Sequence, residues 1–118
     1  MRPFRVACEG VFHAIRTERN MRVHLISALL VFAVAIWLQT TRMENLILLG
    51  WVTLVLSLEL MNTAIERAVD LVTKDIHPLA KQAKDVAAGA VLVASIGAAV
   101  TALIIFGPRL WNVLYLEF

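Results

Sequence analysis

The sequence predicts an all-α integral membrane protein, with three transmembrane helices preceded by an amphipathic surface helix, in one domain over residues 1–118. Three observations predict it. Of the 118 residues 60% are apolar and only 17% charged, against about 45–50% and about 25% in an ordinary soluble domain. The apolar residues fall into long runs without charge, and the basic residues gather almost wholly on one side of those runs. A chain this short has too little interior to hide so much apolar surface from water, and a mean hydropathy of +0.79 agrees. Intrinsic disorder is excluded, because it needs low hydrophobicity and high net charge, and here 11 basic residues stand against 9 acidic ones. A pI near 9.1 at a net charge of +2 is no argument for a nucleic-acid partner.

The elements follow in order. Over residues 3–20, Phe4, Ala7, Val11, Ala14 and Ile15 recur at helical spacing while Arg5, Glu9, Arg16 and Arg19 fall mostly elsewhere. Such a helix lies flat on the inner membrane face with its arginines among anionic headgroups; a plain positive-inside anchor is the simpler reading, and both can hold. The first span covers residues 23–41, the 19 uncharged positions between Arg22 and Arg42. It needs to be about 20 residues long to cross the hydrocarbon layer. No small-residue cleavage site follows it, so a signal peptide is not expected. The second span, residues 45–70, is uncharged through Ser57 and then carries Glu59 inside it. The third, residues 86–107, lies within the 23 positions between Asp85 and Arg109. Gly89 and Gly97 fall on one stripe of that span and Ala90, Ala94, Ala98 and Ala102 on the next, a pattern for close helix contact. Pro3, Pro78 and Pro108 are all expected outside the spans, as punctuation. Three spans enclose little, which calls for neighbours from another copy of the chain.

Orientation follows from the basic residues, which accumulate in short cytoplasmic loops. Nine of them, including Arg2 to Arg22 and Arg67 to Lys84, lie on one side, and only Arg42 and Arg109 on the other. The N-terminus and the 66–85 loop are therefore expected in the cytoplasm and the C-terminus outside. Cys8, the lone cysteine, allows neither an intrachain disulfide nor a CxxC-type zinc site.

Seven of the nine acids, Glu9, Glu18, Glu59, Glu66, Asp70, Asp75 and Asp85, share the cytoplasmic side, leaving Glu44 and Glu117 at interfacial ends. Within the second span Glu59, Asn62, Glu66 and Asp70 step by three, four and four, one face of a helix running from the interface into the hydrocarbon. A carboxylate at helix centre is disfavoured by about 2.5–3.5 kcal/mol on insertion scales, so such acids are rarely kept without a pairing or functional role. Assembly glue between helices explains one polar residue; a base poised to take the proton of an alcohol at the interface explains the stripe. Glu66, nearer the cytoplasm, and Glu18, at the end of the surface helix, suit Mg²⁺, which is commonly held by one or two carboxylates plus phosphate oxygens. The plainer alternative pairs each with Arg19, Arg22 or Arg67. Lys84 can offset phosphate charge, or simply obey the positive-inside rule. His13 and His24 have no ligand-like partner at i+4 and read as interfacial or packing residues. The five glycines supply neither of the soluble nucleotide-binding motifs.

The run Glu59-Leu60-Met61-Asn62-Thr63-Ala64-Ile65-Glu66, followed by Val69-Asp70, resembles the signature of the prokaryotic diacylglycerol kinases. Glu18-Arg19-Asn20 with His24, and the block from His77 to Val91, extend the likeness over roughly residues 4–108. The resemblance implies a multi-pass lipid kinase of the bacterial inner membrane, a homotrimer that uses ATP and Mg²⁺. Carried over residue by residue, Glu59 is the general base, Glu18 and Glu66 hold the metal and the phosphates, and Asp75, His77, Lys84 and Asp85 complete the ATP site. Asn62 and Ala88 join Glu59 at the lipid acceptor. Only two residues precede Pro3, so any basic residue that the diacylglycerol kinases use further upstream is expected to lack a counterpart. Two acceptors are known in the family, and the Glu-Arg-Asn-x-Arg-x-His and His-Pro-Leu-Ala-Lys runs resemble the undecaprenol kinase branch rather than the diacylglycerol one. A rival of another class, a small proton-coupled transporter with Glu59 as carrier, conflicts with the crowding of acids at one interface.

Overall fold

The computed structural model describes residues 2–115; Glu117, expected at an interface, lies outside the described residues. Four helices follow one another: α1 (Arg2–Thr17), α2 (Arg19–Trp37), α3 (Arg42–Val72) and α4 (Pro78–Tyr115). The last three are long and apolar enough to cross a membrane. Packing is organised around α3, against which α4 lies most extensively and α2 next, while α1 touches both α2 and α3.

The junction between α1 and α2 differs from the continuous helix expected over residues 3–20. Glu18 leaves the helical region (φ −111°, ψ 116°) and becomes the N-cap of α2. The open end of α1 needs acceptors satisfied, and Arg22 does this by donating from Nη1 to the carbonyls of Ile15 (3.0 Å) and Arg16 (2.9 Å). A guanidinium one turn into α2 thus stabilises the break.

At 1.5 Å per residue α2 is about 28 Å long, close to the hydrocarbon thickness. It stops short of residue 41 because Gln39 takes a left-handed conformation (φ 53°). The amides of Gln39 and Thr40 donate to Ile36 O and Ala35 O, both at 3.2 Å, the reciprocal closure that ends many helices. α3 then opens on a capping box: Thr41 Oγ1 accepts from the Glu44 amide at 3.2 Å and Glu44 Oε1 from the Thr41 amide at 2.9 Å. Arg109 of α4 pairs with the same Glu44 and reaches Gln39 O at 3.4 Å, tying all three spans together at this end.

α4 starts eight residues before and ends eight residues after the apolar run of residues 86–107. Pro78 sits at its first position, where no amide is needed, and His77 Nδ1 accepts from the Leu79 amide at 3.1 Å as the cap. Pro108, expected outside the span, lies inside this helix. The expectation of a stop fails because proline removes one hydrogen bond locally, while the apolar residues beyond it, including Leu110 and Trp111, continue the helical pattern. Near this end Trp111 stacks on Tyr115 with ring centroids 4.2 Å apart.

The buried positions repeat at sevens: Met21, Ala28 and Ala35 on α2, Leu48, Val55 and Asn62 on α3, and Ala87 and Ala94 on α4. This is the periodicity of helices packed at small crossing angles with small residues at the seam. Of the expected alanine stripe, Ala94 is buried and Ala98 and Ala102 half-buried, but Ala90 is exposed. A seven-residue repeat drifts away from steps of four, so Ala87 and Val91 take its place. Gly97 faces the Trp51 indole so closely that a Cβ there would overlap the ring. Gly97→Ala is therefore expected to lower stability by about 1–3 kcal/mol despite alanine's better helix propensity. Thermal unfolding in detergent measures this; an unchanged or raised midpoint would show that the indole moves aside freely.

Candidate functional site

Among the described residues the buried polar side chains are Glu59, Asn62 and Thr63, at 3%, 5% and 6% exposure, all on the inner side of α3. The stripe seen in the sequence is a gradient in the fold. Glu59 and Asn62 are buried, Glu66 is half-buried and Asp70 is exposed. Asn62 Nδ2 donates to Glu66 Oε1 at 3.3 Å, which links successive turns.

A cavity of ≈ 360 Å³ opens over this stretch, and Asn20 and His24 of α2, Glu59 and Asn62 of α3, and Ala88 and Ser95 of α4 line it. It brings together the three residues expected at the lipid acceptor. Two others were missed by sequence reasoning. His24, read as a packing residue, places Nε2 3.7 Å from Glu59 Oε2, ion-pair distance rather than a hydrogen bond. Ser95 offers a buried hydroxyl with no hydrogen-bond partner, as does Asn62 at its Oδ1. The spacing of Asn20 and His24, one turn apart on α2, was the available signal. Without knowing the rotation of α2 it could not be aimed at Glu59.

A second, mostly apolar cavity of ≈ 340 Å³ continues from His24 and Ser95 between the spans, past Ala28, Val31, Val55 and Ala102. The two therefore meet at His24 and Ser95, a polar chamber joined to an apolar groove.

On the other side, where α3 turns into α4, Asp70, Thr73, Asp75, His77, Lys81 and Lys84 surround a pocket of ≈ 260 Å³. It collects Asp75, His77 and Lys84 of the expected ATP site. Asp85 stands beside it, paired with Lys81 at 2.5 Å. Lys84 is held at 2.5 Å by Asp70, so its ammonium is fixed at the rim. Since His77 uses Nδ1 as a helix cap, its Nε2 is left for other contacts.

Glu18 and Glu66 are both close enough to Glu59 to act on it electrostatically. Glu18 pairs with Arg67 at 2.9 Å, as the plainer reading anticipated, and Arg67 also donates to Thr17 Oγ1 at 2.8 Å. Among the described residues no cluster of three or more His, Cys, Asp or Glu side chains gathers around one point. Two carboxylates nonetheless fit a hard divalent ion whose remaining positions are filled by water and phosphate oxygens.

The comparisons with known proteins agree with one another. The family model for "Prokaryotic diacylglycerol kinase" matches residues 5–106. The undecaprenol kinase of Bacillus subtilis (strain 168) is 42% identical over 104 residues, covering 88% of this chain and 85% of that protein. A diacylglycerol kinase of Synechocystis sp. is 45% identical over 98 residues, 82% of this chain but 56% of that longer protein. The diacylglycerol kinase of Escherichia coli (strain K12) is 34% identical over 93 residues, covering 79% and 76%.

Proposed function

Because the chain belongs to the prokaryotic diacylglycerol kinase family, and is thus a membrane-embedded lipid kinase with ATP as phosphate donor, we propose that its acceptor is undecaprenol. The observation that carries this reading is a buried carboxylate, Glu59, in a polar chamber that joins an apolar groove between the spans at His24 and Ser95. A long hydrocarbon alcohol needs both. Similarity over most of the length of a named undecaprenol kinase supports the same choice.

The phosphate donor enters from the cytoplasmic side, where Lys84, His77, Asp75 and Asp85 bind its phosphates and adjoining groups. Glu18 and Glu66 would hold Mg²⁺, which would supply charge neutralisation for the phosphates. Asn62 and Ala88 seat the acceptor. Glu59 takes the hydroxyl proton as the alcohol oxygen bonds to the γ-phosphorus. The bond from that phosphorus to the β,γ-bridging oxygen breaks, ADP departs, and Glu59 returns the proton to water. Little covalent chemistry falls to the protein, so position and electrostatics provide most of the rate.

In this reading the N-terminus and the 66–85 loop are cytoplasmic and the C-terminus is outside, as the distribution of basic residues favours. α1 lies along the inner surface; its Phe4 and Phe12 are 70% and 63% exposed and uncovered by the rest of the chain, as a lipid contact requires. The assembly is a trimer by resemblance, and the bare apolar faces of α2 and α3 at Leu29, Leu30 and Leu54 leave room for other copies.

Diacylglycerol is the second acceptor to test, favoured by the names of the cyanobacterial and enterobacterial relatives. Purified protein in mixed micelles with labelled ATP and equal mole fractions of the two lipids separates them. At least tenfold faster labelling of undecaprenol is expected. Faster labelling of diacylglycerol overturns the acceptor assignment, and labelling of neither, with proton-driven export from proteoliposomes, overturns the kinase reading in favour of a transporter.

A further inference from the structure

We propose that His24 is the positioning residue for Glu59, holding one carboxylate oxygen so that the other faces the acceptor hydroxyl. The inference rests on the general-base reading of Glu59 and goes beyond it. His24 Nε2 lies 3.7 Å from Glu59 Oε2, and among the described residues it is the one cationic or potentially cationic group within ion-pair distance of that carboxylate. Of the residues lining the chamber and the groove, only His24 and Glu59 are titratable. The two face each other across the α2–α3 seam, and His24 is the member present in both cavities. Its rotation is set by the buried stripe Met21, Ala28 and Ala35 on the same helix.

A carboxylate that must collect a proton from an alcohol has to present a lone pair along the O–H direction, and a free carboxylate rotates. A small side-chain rotation that closes the 3.7 Å separation to hydrogen-bond length lets an imidazole N–H hold Oε2 and restrict that freedom. A neutral imidazole with its proton on Nε2 is enough, so the role does not depend on a charged histidine. It also adds a second polar partner, beside Asn62, to a buried carboxylate, where an unpaired one is costly.

The test uses the full-length protein in micelles with MgATP and the acceptor lipid that the mixed-lipid assay selects. His24→Leu, close in bulk but without a donor, is expected to lower kcat by roughly 10–100-fold, the range found when a residue that orients a reacting group is removed. The KM for MgATP stays within about twofold, because the nucleotide pocket is elsewhere. His24→Gln, which returns a donor near the Nε2 position, recovers most of the lost turnover. In a Glu59→Gln background His24→Leu adds no further loss, since there is no base left to position. Wild-type turnover in His24→Leu, equal losses in the leucine and glutamine variants, or an additive loss in the double variant would each overturn the inference. If His24→Leu does not fold, His24→Gln decides alone: a kcat within about fivefold of wild type supports the donor role, and a larger loss overturns it. Full activity in Glu59→Gln by itself removes the general-base reading, a different failure from an inert His24.

Discussion

Glu59→Gln is expected to abolish nearly all phosphoryl transfer while leaving MgATP binding intact. The substitution keeps the size and hydrogen-bonding shape of a side chain only 3% exposed, so the helix seam is not disturbed, and it removes the proposed general base. General-base catalysis supplies typically about 10²–10⁴-fold, and turnover should fall within that range. Its kinetic signature is a loss in kcat without a matching rise in the KM for MgATP. Because the proposed nucleotide pocket is lined by Asp70, Asp75, His77 and Lys84 and not by Glu59, nucleotide affinity provides the internal control. Turnover in Glu59→Gln within a factor of ten of wild type would remove Glu59 from the chemistry and leave it as an element of helix packing.

The second large effect is expected for Glu66→Gln. Glu66 is half-buried one turn above Asn62, whose Nδ2 donates to it at 3.3 Å, and like Glu18 it lies close enough to Glu59 to act on it electrostatically. Exchanging its negative charge for an amide removes one of the two carboxylates proposed to hold Mg²⁺. A metal ion in phosphoryl transfer is worth several kcal/mol, and each 1.36 kcal/mol is tenfold in rate. A loss of roughly 10²-fold or more is therefore expected, with a higher concentration of free Mg²⁺ needed for half-maximal rate. The amide can still accept from Asn62, so stability should change little. Titrating Mg²⁺ at fixed ATP distinguishes the roles: a wild-type Mg²⁺ requirement alongside reduced kcat would assign Glu66 to orienting Asn62 and not to the metal.

The spans were legible in the sequence because apolar runs near 20 residues have few other uses, and their order and number are those of α2, α3 and α4. The ends were less legible. Helix termini depend on single residues acting as caps, and the left-handed turn at Gln39, the capping box of Thr41 and Glu44, and the imidazole cap of His77 each needed backbone conformation to be seen. The break at Glu18 was invisible for the same reason. It becomes favourable only when Arg22 and Arg67 are in place to satisfy the carbonyls of α1 and the Glu18 carboxylate.

The candidate site divides along a similar line. Glu59, Asn62, Glu66 and Asp70 could be placed on one face from spacing alone, since all four share a single helix whose period is fixed by its backbone. Asn62 with Ala88, and Asp75 with His77 and Lys84, were grouped by resemblance, and each group lines one cavity. His24 opposite Glu59 and Ser95 in the same chamber could not be assigned from the pattern. What the sequence by itself determined, then, is what lies along one helix or one loop: apolar spans, the side to which charge is confined, and the acidic stripe. What only the tertiary structure decided is what meets across helices. That depends on the rotation of each helix about its axis, which the packing of Ala35 with Leu48 and Ile105, and of Gly97 with Trp51, sets through close contact that no linear pattern encodes.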